Sequence, residues 1–176
     1  KTNIGVVRST NEDAFTIIKK DDNNYLAFVC DGMGGHLGGS YASNKTVEVL
    51  NACYQNFEAK GKGNIGVWLF ETLQKANDDI YAKAQEDVNF RGMGTTVTAL
   101  LKTPKSAIVA HVGDSRIYQF RGGKKVFRTF DHSMVFEMVK KKVLTEEQAR
   151  LSAQSNVILK ALGVKPEAEV ECQEIP

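Results

Sequence analysis

Long apolar runs are missing from this 176-residue chain. No stretch approaches the ~20 residues needed to cross a bilayer as a helix, and nothing resembles a secretory leader. Cysteine is scarce as well. Cys30, Cys53 and Cys172 are widely spaced and odd in number, with no CxxC pair. That argues against a zinc site or a disulfide framework, and a reducing, cytoplasmic setting is expected. Net charge is only +2, too little to point to nucleic acid or an anionic membrane. Internal repeats and low-complexity tracts are lacking too.

What is present is the composition of a soluble globular protein. Apolar residues make up 42% and charged residues 25%, values ordinary for that class. The length suits a single domain with a real core, and residues 1–176 are read as one. The triplet Lys140-Lys141-Lys142 reads as a solvated helix face. The chain starts at Lys1, three residues before strand-like sequence, and stops at Pro176 in another such stretch. A piece of a longer protein is the expectation.

Along the chain, residues 14–20 and 25–30 read as strands joined by the polar turn Asp21-Asp22-Asn23-Asn24. A glycine-rich turn from Gly32 to Gly39 follows. Residues 40–58 read as a helix, with Ala42, Thr46, Val49, Leu50, Cys53, Tyr54 and Phe57 at helical spacing. A second helix is expected over about 65–87, with Leu69, Phe70, Leu73, Ala76, Ile80, Tyr81 and Ala84 on one face. Strands near 95–102, 106–113, 115–121 and 125–130 come next. Helical pieces near 133–142, 145–150 and 156–162 precede a last strand near 168–175. This order lacks the alternation of a parallel βαβ fold. It predicts an α+β protein with antiparallel sheets and helices layered on their faces.

The hairpins bring carboxylates together. Reflection through the Asp22/Asn23 turn centre sets Asp13 opposite Gly32, and a one-residue change of loop size sets it directly opposite Asp31. The second hairpin turns at Gly122-Gly123, a common two-residue loop, and reflection there sets Asp114 opposite Asp131. Facing like charges destabilise a sheet unless a cation lies between them: an arginine, a lysine, or a hard metal ion that prefers oxygen. Aspartates are also common in loops, and Asp131 could instead cap the following helix. Asp31 is the more telling case. It ends the apolar run Tyr25–Cys30 and meets Gly32-Met33-Gly34-Gly35, where glycines allow close backbone approach.

Other chemistries fit less well. The glycines at 32, 34, 35, 38 and 39 do not form GxGxxG, and no βαβ unit follows. The P-loop pattern is absent. No serine or cysteine lies in a nucleophile elbow. Of the three histidines, His111 reads as a packed sheet residue and His132 as one that orients a loop; only His36 lies near Asp31. Metal-assisted hydrolysis fits best.

Several segments resemble one known family. Arg8-Ser9-Thr10-Asn11-Glu12-Asp13 and Val29-Cys30-Asp31-Gly32-Met33-Gly34-Gly35-His36 resemble the opening motifs of the metal-dependent protein phosphatases (type 2C, or PPM). Gly92-Met93-Gly94-Thr95-Thr96, Val112-Gly113-Asp114-Ser115-Arg116 and Asp131-His132-Ser133 resemble its next ones, in order. The form Asp31-Gly32-Met33-Gly34-Gly35-His36 is similar to the bacterial branch. The resemblance implies a four-layer αββα sandwich and two Mg²⁺ or Mn²⁺ ions, often with a third. It implies that Asp31 bridges the two principal metals, that Gly32 lends its carbonyl, that Asp13 approaches one metal and that Asp114 serves the third. Arg8 would hold the substrate phosphate, and His36 would be the candidate proton donor to the leaving group. Met33 stands where many relatives carry that histidine. Residues 133–160 resemble a flap beside the active site, with Ser152-Ala153 where bacterial members often have His-Pro.

The implied substrates are phosphorylated proteins made by serine/threonine kinases. A non-catalytic binding domain of the same fold is the alternative. The family's later Ser-Asp-Gly and Asp-Asn motifs are absent from these 176 residues, so weak or absent metal binding by this chain alone is expected.

Overall fold

The computed structural model describes residues 1–35, 37–58 and 64–175. Strands β1 (Asp13–Asp21) and β2 (Asn24–Met33) form an antiparallel hairpin. Two long helices follow, α1 (Gly38–Gln55) and α2 (Ile65–Glu86). Strands β3 (Gly94–Thr95), β4 (Val97–Lys102) and β5 (Ala107–Val112) come next. Strands β6 (Tyr118–Arg121) and β7 (Lys124–Arg128) make a separate two-stranded sheet. Helices α3 (Met134–Lys140) and α4 (Glu146–Leu151) precede the last strand, β8 (Glu171–Glu174). The large sheet runs β1-β2-β4-β5-β8, with β3 on β2, and every pairing is antiparallel. The expected α+β class with two antiparallel sheets and layered helices is what the chain adopts.

Strand alternation decides which side chains meet the helices. In β2, Leu26, Phe28, Cys30 and Gly32 are buried, whereas Val29 and Asp31 are exposed. Leu26, Phe28 and Cys30 pack with Leu50 and Tyr54 of α1 and Leu69, Leu73 and Ile80 of α2. Each such apolar side chain contributes about 1.5–3 kcal/mol on burial. The helical stripes fall close to expectation, except that Phe70 is exposed and Asn77 takes a core place. Asn77 is satisfied there: its amide donates to the carbonyls of Lys165 and Pro166, and its oxygen accepts from Gly163 N.

The second layer is built from β6–β7 with α3 and α4 beside it. Gly122 and Gly123 both have positive φ, +55° and +74°, as a type I′ turn requires. Arg128 of β7 is paired to Glu146 of α4, and Phe130 stacks on Phe136 of α3. The cap of α3 is Ser133, which accepts from Phe136 N; Asp131 has a different task.

One expected element is absent. Residues 156–162 are not helical. Leu162 is bridged to Thr95 by two backbone bonds, and Leu159 N donates to the His132 carbonyl at 2.7 Å. Pairing with distant backbone satisfies this segment's polar groups and overrides its local spacing.

Candidate metal centre

Asp13 and Asp31 are direct Cα partners across β1 and β2. The register shift between Lys19 and Asp21 sets this pairing. Asp21 still pairs Asn24 across the two-residue turn, and the extra residue, Lys20, then moves Asp13 from Gly32 to Asp31. Both residues lie on the sheet face away from α1 and α2 and are exposed, although neighbouring protein partly shields the Asp31 carboxyl from bulk water. With Arg8, Asn11 and Glu12 they line a cleft of about 320 Å³.

The backbone under Asp31 is gripped from both sides. Its N–H donates to Thr96 Oγ1 at 3.1 Å. Its carbonyl accepts from Thr96 N at 2.9 Å and Thr95 Oγ1 at 3.1 Å. Thr96 Oγ1 is also 2.8 Å from Ser115 Oγ, next to Asp114. Thus the Thr95-Thr96 pair ties Asp31 to the turn that carries Asp114. Gly32 is packed too tightly for any side chain: a Cβ there would lie 2.2 Å from the Gly39 carbonyl oxygen.

Charge is concentrated at this point. The Asp31 carboxyl is pushed up to about 6, first by withdrawal from bulk water, then by the charge and hydrogen bonding of Asp13 and by Asp114; Arg8 opposes the shift. Asp114 also lies above the usual carboxylate range, chiefly because surrounding protein withdraws it from water, with repulsion from Asp131 adding to it. An array of acids near one another, with no ion pair to Asp13 or Asp31 among the described residues, is unfavourable until a cation enters.

The second hairpin departs from its expected geometry. β5 leaves the large sheet at Val112, and β6 begins only at Tyr118. Asp114 therefore sits on the crossing between sheets and is not a strand partner of Asp131. Asp131 is buried and held by Arg116 at both oxygens, Nε to Oδ1 at 2.5 Å and Nη2 to Oδ2 at 2.6 Å. Its cation is built in.

Known proteins place the chain in a family. The family model described as protein phosphatase 2C matches residues 6–161. A protein phosphatase 2C-type protein of Streptococcus pyogenes is 43% identical over 166 residues, covering 93% of this chain and 66% of the relative. This chain belongs to the protein phosphatase 2C family. The serine/threonine phosphatase stp of Listeria monocytogenes is 33% identical, over 100% of this chain and 70% of its own. The crystal structure of serine/threonine phosphatase Stp1 from Staphylococcus aureus superposes with a TM-score of 0.90 at 32% identity, covering 99% of this chain and 68% of that one. The Mycobacterium tuberculosis serine/threonine phosphatase PstP/Ppp superposes with a TM-score of 0.83 at 30% identity, covering 100% of this chain and 72% of that one. The chain thus spans about two thirds of the length of the curated relatives it matches.

Members of the protein phosphatase 2C family are metal-dependent, and the donors here suit that chemistry. Carboxylates and a backbone carbonyl are hard oxygen donors, the kind that Mg²⁺ and Mn²⁺ prefer. A divalent cation would also relieve the repulsion from Asp13 and Asp114 that adds to the rise of Asp31. Of the residues singled out from sequence, Arg8, Asp13 and Asp31 line one cleft, and Asp114 is close enough to act on Asp31 electrostatically. His36 lies outside the described residues. Thr95, Thr96 and Ser115 support the site although sequence reasoning gave them no role; their only signal is membership of the two short motifs. Among the described residues, no helix is long and apolar enough to cross a membrane.

Proposed function

We propose that this chain is the larger part of a protein serine/threonine phosphatase, which hydrolyses phosphoserine and phosphothreonine with Mn²⁺ or Mg²⁺. The observation that carries the reading is the direct register of Asp13 on Asp31, in a cleft shared with Arg8. Asp31, Asp13 and the Gly32 carbonyl would hold the two principal ions, and Asp114 a third. When bound, such ions lower the pKa of a water so that hydroxide is available near neutral pH.

The rest falls to the chain's own residues. Arg8 presents a planar fork of donors that matches two phosphate oxygens, and its place in the Asp31 cleft sets the phosphorus in front of the carboxylates. Orientation of this kind lowers the barrier before any bond changes. Thr95 and Thr96 keep Asp31 from turning away. The serine or threonine oxygen that leaves needs a proton, and His36 is the candidate donor named by the sequence. Substrates would be phosphoproteins, the products of serine/threonine kinases, met in the cytoplasm. Residues 133–160, which include α3 and α4, would form the flap of a single catalytic domain.

The test is phosphate release from a phosphothreonine peptide by the protein that carries this chain. Release should require Mn²⁺ or Mg²⁺, stop on chelation and return when metal is restored. Turnover that persists in excess chelator would overturn the reading.

A further inference from the structure

His132, between Asp131 and Ser133, has no part in the mechanism above. It is 2% exposed. Its main-chain N–H donates to the Gly113 carbonyl at 2.8 Å, and its ring Nδ1 accepts from Gly113 N at 3.1 Å. One residue therefore holds both backbone groups of Gly113. That glycine has φ +105°, and a Cβ on it would lie 2.5 Å from Thr96 Cγ2, so the turn has little freedom to adopt another shape. Asp114 is the next residue.

The hydrogen bond also settles the proton. A ring nitrogen that accepts carries no hydrogen, so neutral His132 keeps its proton on Nε2. Nε2 lies 3.0 Å from a carboxylate oxygen of Glu171 on β8, close but outside hydrogen-bond geometry. His111 stacks on the same ring, with centroids 4.5 Å apart. The possible ligand atoms of His111, His132 and Glu171 lie within 4.8 Å of one another, which invites a metal reading. Proton placement argues against it, because Nε2–H has no lone pair to offer a cation.

We propose that His132 is a positioning residue, which through its Nδ1 acceptor locks the Gly113–Asp114 turn, setting the direction of the Asp114 carboxylate. The inference rests on the reading of Asp114 as a metal ligand. Sequence alone has His132 orienting a loop; the structure supplies the loop and the nitrogen.

The experiment compares the Mn²⁺ dependence of aryl-phosphate hydrolysis for His132→Asn, His132→Gln and Asp114→Asn in the protein that carries this chain. It adds the ¹⁵N spectrum of the histidine rings under chelation. The Asn side-chain oxygen falls where Nδ1 was; the Gln amide reaches the Nε2 position instead. His132→Gln should raise the Mn²⁺ concentration for half-maximal rate about tenfold to a hundredfold, as losses of outer-shell partners do, with a smaller change in kcat. His132→Asn should stay near wild type, and the spectrum should show Nδ1 bare and Nε2 protonated.

The inference fails if Asn damages as much as Gln, if Nδ1 carries the proton, or if added Zn²⁺ binds at Nε2. It also fails if Asp114→Asn shifts the Mn²⁺ requirement and His132→Gln does not. Should His132→Gln not fold, the Asn variant and the spectrum decide. If Asp114→Asn leaves the requirement unchanged, the metal role of Asp114 falls and the clamp on Gly113 loses its purpose, while the spectrum still reports on the clamp itself.

Discussion

At the open end of the β1–β2 hairpin, Asp13 faces Asp31 with no ion pair to either among the described residues. At the open end of the β6–β7 hairpin, Asp131 is buried and gripped at both oxygens by Arg116. The same residue type at equivalent places thus has two electrostatic fates. Arg116 is always charged and matches a carboxylate bidentately, so Asp131 has no need of an outside cation. Asp31 sits among acids, feels Arg8 only as a moderating charge, and is pushed up to about 6. A site that lacks its own counter-charge is suited to taking one from solution, as the proposed metal role of Asp31 requires. Asp114 lies between these extremes, on the crossing from one sheet to the other, repelled by Asp131 and eased by Arg116.

The sharpest way to break this contrast is to remove one charged group at each hairpin. Asp31→Asn should cut Mn²⁺-dependent hydrolysis by at least about a hundredfold, since loss of a ligand should exceed the tenfold to hundredfold typical of outer-shell partners. The change is read as kcat/KM for aryl phosphate. A variant that retains wild-type rates would remove Asp31 from the mechanism. Arg116→Ala should do the reverse: it costs stability and leaves the metal requirement close to wild type. Leaving Asp131 buried without its partner should cost about 1–3 kcal/mol, allowing for the partial exposure of Arg116. Urea unfolding measures this, and adding Asp131→Asn to Arg116→Ala should recover part of the loss.

Gly113→Ala probes the crossing that connects the two regions. Its φ of +105° is strained for alanine, and the new Cβ would press on Thr96. A loss of more than about 1 kcal/mol is expected, with a raised Mn²⁺ requirement as Asp114 moves. If stability falls but the Mn²⁺ requirement holds, the turn matters to the fold and not to the metal.

How far these features can be read from sequence depends on the range of the interaction. The pairing of Asp13 with Asp31 is legible to within one residue, because reflection through a turn is local arithmetic; a bulge at Lys20 is what the arithmetic cannot see. The pairing of Asp114 with Asp131 is not legible. Residues 113–117 leave the sheet, and nothing in an alternating pattern marks where a strand switches layers. The grip of Thr96 on Asp31 spans 65 residues in sequence, and the seat of Leu162 on Thr95 spans about as many. In both cases hydrogen bonds formed only in the folded chain decide, and local propensity is overruled. The core stripes of α1 and α2 are the opposite case, since helical periodicity carries them directly.

The smallest effect isolates the electrostatics of Asp31 from its chemistry. In metal-free protein, kept so by chelator, a carboxyl raised from 3.8 to about 6 binds its proton more tightly folded than unfolded. The stability this adds is complete below the unfolded value and is lost as pH rises through about 6. Between pH 5 and pH 7.5, wild type should therefore lose a little stability from this group, and Asp31→Asn should not. At pH 7.5 the variant should be the more stable, by less than about 1 kcal/mol because the carboxylate faces solvent and is screened. His111 works in the other direction: burial and the neighbouring His132 lower it to about 4, so its contribution is lost as pH falls from about 6.5. The difference between wild type and Asp31→Asn cancels that term, so melting curves of the two proteins across this pH range report on Asp31 and the acids that interact with it. Equal slopes would mean that the folded chain does not raise the Asp31 carboxyl, and that the contrast with the Arg116–Asp131 pair has some other cause.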